Sequence, residues 1–92
     1  MKSVLQSKKQ CFVCATTSNL HEHHCWYGTA NRKMSEKYGL KIFLCQEHHT
    51  GSSGIHFNRA LDEGVKMLAQ SKFEELYGSR EEFRRLFGKS VL

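Results

Sequence analysis

Hydrophobic and polar positions alternate with different periods along the chain, and the periods predict its elements. Asn19 to Tyr27 reads as a short strand closed by Gly28, and Asn31 to Tyr38 as a short helix closed by Gly39. Lys41-Ile42-Phe43-Leu44-Cys45 has the β-branched and aromatic content of a second strand. Thr50-Gly51-Ser52-Ser53-Gly54 is a turn. From His56 onward, Phe57, Leu61, Val65, Met67 and Leu68 recur at helical steps, and the pattern runs on through Phe73, Leu76 and Tyr77. Gly78 stops that helix. Ser79-Arg80-Glu81-Glu82 has the spacing of a capping box, opening a last helix that turns Phe83, Leu86 and Phe87 inward and ends at Gly88. The polar, basic residues 1–10 are expected to form a flexible arm, and residues 11–92 a single domain.

Composition narrows the class. A chain of 92 residues makes one domain with a modest core, the size at which a structural metal often supplies the missing stability. An apolar fraction of 39%, with six Phe and three Tyr, marks it as globular. A net charge of +5 and a pI near 9.2 favour a polyanionic partner, nucleic acid first. No apolar run approaches the roughly 20 residues of a membrane span. Met1 to Lys9 lacks the apolar core of a signal peptide, so no membrane and a cytoplasmic setting with reduced cysteines are expected.

The cysteines and histidines change the picture most. Cys11-x-x-Cys14 and Cys45-x-x-His48 are two short ligand pairs that flank the two strands. A two-residue spacing lets a tight turn aim both side chains at one ion, and soft thiolates select zinc over magnesium or calcium. A hairpin of the two strands would bring the pairs together, and one Zn2+ would lock it, its binding energy counting as folding energy. The competing reading is a redox or disulfide protein built on Cys11 and Cys14. Cys25 is either a free buried cysteine or the fourth zinc ligand in place of His48. His21, His23, His24, His49 and His56 are left over, enough for a second metal that does chemistry.

The order Cys-x-x-Cys, then Leu20-His21-Glu22-His23-His24, then Cys45-x-x-His48-His49, then a helix, resembles the HNH endonucleases, and more narrowly the small HNH proteins of bacteriophages. The resemblance covers residues 11 to 60 and, less specifically, the tail from Ser79. It implies an α+β chain with the ββα-metal (His-Me finger) fold, here a zinc-knuckle-stapled β-hairpin with C-terminal helices. It implies that His23 binds a catalytic divalent metal, with His49 and His56 as further ligands, and that His24 is the general base. Zn2+, Ni2+, Mn2+ or Mg2+ are the candidate ions. The reaction implied is metal-dependent DNA hydrolysis at a single ion, leaving 5′-phosphate and 3′-hydroxyl ends in a bacterial host cell, with a phage terminase as a partner. The family's central asparagine has no match at the expected position, where Leu40 stands. Asn31 is the nearest candidate, and it reads equally as a helix N-cap; Asn58 is a further candidate.

His21 alternates with His23 and so shares its face, as a supporting histidine; Glu22 points the other way. Arg32, Lys33, Lys41 and Arg59 are the expected DNA contacts, pairing with phosphates in a salt-dependent way. Trp26 and Tyr27 serve either hairpin packing or base stacking. The rival function is a non-catalytic zinc module that binds nucleic acid, which would have no use for His23, His24 and His49 together.

Overall fold

The computed structural model describes residues 1–92. It is a small α+β chain: a two-stranded antiparallel hairpin and four helices. Strand β1 (Leu20–His24) pairs with β2 (Lys41–Cys45), with Leu20 opposite Cys45 and His24 opposite Lys41. Helix α1 (Thr29–Tyr38) bridges the strands. A single turn, α2 (Gln46–His49), follows β2 directly; then come a 3-10 turn (Ile55–Phe57), the long α3 (Arg59–Leu76) and α4 (Arg80–Phe87).

Strand β1 is shorter than the Asn19–Tyr27 expected from the sequence. The chain leaves the ladder after His24 so that Cys25 and Trp26 can enter the core. Helix α1 starts two residues earlier than expected, with Gly28 as its N-cap, so Asn31 lies inside the first turn and caps nothing. The helix stops at Gly39, whose left-handed φ of 69° and close approach to the Lys2 carbonyl leave no room for a Cβ.

The core is one cluster. Leu40, Ile42, Leu44, Ile55, Val65 and Phe73 pack beneath the hairpin. Trp26 stacks edge-on against Phe83 at 5.0 Å, and Phe83 lies flat on Phe87 at 4.3 Å. The indole of Trp26 donates to the Lys66 carbonyl at 3.1 Å, which fixes Trp26 as a packing residue. Leu61, Val65, Ala69 and Phe73 form the inward stripe of α3, with steps of four. The expected members Phe57, Met67, Leu68 and Leu76 are exposed. The helix begins only at Arg59, after Asn58 caps it by accepting from the Leu61 amide, and Ala69 rather than a larger residue lets it come close. The capping box of Ser79 and Glu82 forms as the sequence predicts.

Residues 1–10 carry no helix or strand, but they are tied down. The Val4 amide donates to Gly39, the Phe43 amide donates to the Gln6 side chain, and Val4 and Leu5 pack on the core. No helix is long and apolar enough to cross a membrane.

Candidate metal centres

Two donor clusters meet at α2. Strand β2 ends at Cys45, which is also the cap of α2; one turn of helix then places His48 on one side and His49 on the other.

On the first side lie Cys11, Cys14, Cys45 and His48, with all four donor atoms within 4.8 Å of one another. Cys14 and Cys45 are 3.8 Å apart at sulfur, and His48 Nδ1 is 3.7 Å from Cys11 Sγ and 3.2 Å from Cys45 Sγ. A tetrahedral ion with Zn–S bonds of about 2.3 Å needs edges of about 3.8 Å. The cluster therefore fits a metal, and its three sulfurs and one imidazole are compatible with zinc. The knuckle is anchored by its own turn, Ala15 amide to Cys11 carbonyl at 2.9 Å, and to the hairpin by the Phe12 amide on Phe43 at 2.8 Å. Burial opposes ionisation of Cys11, but the amides of Cys45, Cys14 and Val13 outweigh it and lower the thiol to about 6, a ready thiolate. All four cysteines are free thiols. Cys25 is outside the cluster and fully buried, and burial pushes its thiol far up.

On the second side lie His23, His49 and His56, also with donor atoms within 4.8 Å of one another. Their ring centroids are 5.1 to 5.4 Å apart. His23 comes from β1, His49 from the end of α2 and His56 from the 3-10 turn. The loop between them doubles back as the long His49–His56 spacing requires. The Gly54 amide donates to Gly51, that of Phe57 to Gly54, and Glu47 accepts from the Ser53 amide. A Cβ on Gly54 would stand 2.7 Å from the His49 carbonyl, so the loop closes only over glycine.

His23 is buried, and its Nε2 has no hydrogen-bond partner. Burial, with the neighbouring His49 and His56, lowers it to about 4, so the ring is neutral and carries a free lone pair at neutral pH. Burial lowers His49 as well. Three imidazoles around one point, with His23 buried and His56 exposed, could hold a metal ion. His21 supports His49 through an Nδ1–Nδ1 hydrogen bond of 2.9 Å.

His24 points to the opposite face of β1, away from this cluster. Its Nε2–H donates to Glu36 Oε1 at 2.9 Å. A carboxylate only accepts, so a proton sits on Nε2, and in the neutral ring Nδ1 keeps its lone pair. His24 and Glu36 line a cleft with Tyr27, Gly28, Thr29, Arg32 and Lys33. The Tyr27 ring also packs on His23 at 5.8 Å and on His56 at 5.7 Å, so cleft and histidine cluster meet there.

Of the expected DNA contacts, Arg32 and Lys33 face this cleft. Lys41 does not: it is 8% exposed and its ammonium is spent on Glu36 at 3.0 Å and Glu22 at 3.3 Å. Arg59 is 91% exposed, paired with Glu63, and lies over a different depression.

Sequence reasoning missed Glu36, which joins His24, Lys41 and the Met1 amine. No local spacing links a helical Glu to a strand His. It also missed Asp62, which accepts from the Tyr27 hydroxyl at 2.9 Å and pairs with Lys66 four residues on. The chain matches no protein-family model, no curated protein and no solved structure.

Proposed function

We propose that the chain is a metal-dependent DNA endonuclease of the HNH type, with a structural zinc at Cys11, Cys14, Cys45 and His48. The single observation that carries the reading is the second donor set, His23, His49 and His56, built from three separate elements and partly exposed. The order of the motifs and the placing of that set between the hairpin and the start of α3 support a ββα-metal arrangement.

In this reading His23, His49 and His56 would hold a divalent ion, which would supply Lewis acidity to the phosphodiester. The chain's own residues do the rest. Arg32 and Lys33 draw the DNA backbone into the cleft. His24 Nδ1 takes a proton from the attacking water, and Glu36 holds the ring in the tautomer that leaves Nδ1 free. Lys41 and the Met1 amine keep Glu36 ionised: with the His24 contact, they hold it well below the usual carboxylate range. Glu36 takes the orienting part expected of Asn31.

The test is cleavage of supercoiled plasmid with Mn2+, Ni2+, Mg2+ or Zn2+. The wild type nicks it. His24→Ala keeps both metals and loses activity by about 10²- to 10⁴-fold. Salt-sensitive DNA binding with no cleavage by any ion establishes the non-catalytic zinc module instead.

A further inference from the structure

The chain has two buried side-chain atoms without a hydrogen-bond partner, His23 Nε2 and Asp62 Oδ1. One is a ring nitrogen that donates in one tautomer; the other is a carboxylate oxygen that only accepts. Buried polar groups are nearly always paired, so two complementary orphans in the same region call for an explanation.

Tyr27 contacts both residues. Its ring lies against His23, and its hydroxyl donates to Asp62 Oδ2 at 2.9 Å. Lys66 Nζ sits 4.4 Å over the same ring and 3.3 Å from Oδ2. Asp62 is 15% exposed and Lys66 18%, so this is no ordinary surface pair. Tyr27 and Lys66 both claim Oδ2 and leave Oδ1 with nothing. Helix pairing explains Oδ2; it does not explain Oδ1.

We propose that Asp62 is a positioning residue for the histidine cluster, its Oδ1 accepting from one buried water that in turn accepts the Nε2–H of His23, so that Nδ1 is aimed at the ion. The inference rests on the divalent-ion reading of His23, His49 and His56. A neutral imidazole has one N–H and one lone pair, and a metal-binding histidine usually gives its N–H to a carboxylate or carbonyl. Without Asp62 the ring keeps both tautomers and a looser orientation. Tyr27 and Lys66 serve the same end, since they hold the carboxylate by its other oxygen.

The experiment is Co2+ titration of the full, zinc-replete chain, followed by the visible absorption that separates an imidazole site from a thiolate one. The wild type takes one Co2+ at the histidines. Asp62→Ala weakens that affinity about 10- to 100-fold, with the zinc retained. Asp62→Asn, which keeps an acceptor oxygen, restores most of it. If Asp62→Ala loses its fold, Asp62→Leu against Asp62→Asn gives the same comparison at similar size, and Leu is the weak binder. Equal Co2+ affinity and spectrum in the wild type, Asp62→Leu and Asp62→Asn overturn the role of Asp62 and leave the metal reading standing. A wild type that takes no second ion overturns both.

Discussion

The sulfur-rich cluster and the histidine cluster are supplied by consecutive residues of α2, His48 and His49, yet they are built for different ends. In the first, a knuckle from residues 11–14 is drawn onto the end of β2, with Cys14 and Cys45 one tetrahedral edge apart at sulfur and all four donors within 4.8 Å of one another. Every donor there faces another donor. In the second, His23 is buried with an orphaned nitrogen while His56 faces solvent. A soft-donor shell closed on a zinc would stabilise the chain; an imidazole set with one exposed member would leave a position for something else. The same type of side chain thus does opposite work according to its neighbours: His48 completes a shell and His49 leaves one unfinished.

The largest effect should come from the closed shell. Removing the proposed zinc with a strong chelator, or Cys45→Ser, should remove on the order of 10 kcal/mol and abolish the cooperative melt seen by circular dichroism. A chain that melts with the same midpoint with and without chelator would erase the contrast. His23→Ala should do the reverse. Cleavage falls by at least about 10²-fold, while metal-free stability moves by less than about 2 kcal/mol, since the cavity left is offset by relief of the unpaired nitrogen. Gly54→Ala lies between them. The added Cβ meets the His49 carbonyl at 2.7 Å, so the loop must shift, at about 1–3 kcal/mol. Second-site metal affinity drops with it, and zinc content does not change. The smallest effect concerns Glu36. Its carboxyl is held below its ordinary 4.5 by the Met1 amine first, then His24 and Lys41. A depressed carboxyl stabilises the folded chain above its unfolded value and stops doing so as pH falls through its folded one. The protection of the Val4 amide, its exchange measured against the intrinsic rate at each pH, should therefore fall as the solution is acidified below about 4.5, and Glu36→Gln should show the lower protection already at neutral pH.

What could be read from the sequence was local. The Cys11–Cys14 turn, each of the two strand segments and the Ser79–Glu82 cap are set by residues within a few positions of one another, and the structure forms all of them, with β1 shorter than expected. The stripe of α3 was only half legible. Phe57 and Leu68 fit a helical period, but the capping of α3 by Asn58 fixes its start, and close packing at Ala69 selects a different face. Lys41 reads as a phosphate contact because it lies near the proposed site in sequence; its two carboxylates come from β1 and α1, and no local spacing marks either as its partner. Asp62 was hidden by its own regularity, since a Lys four residues on makes a helix surface pair in any chain.

One peptide bond separates His48 from His49, and that shortness sets an order of events. If both clusters hold ions as proposed, closing the shell around His48 also fixes the backbone that carries His49, so the second ion follows the first. On the proposed function, a nascent or zinc-starved copy is harmless to the genome around it, and the capacity to cut arrives only with a finished molecule.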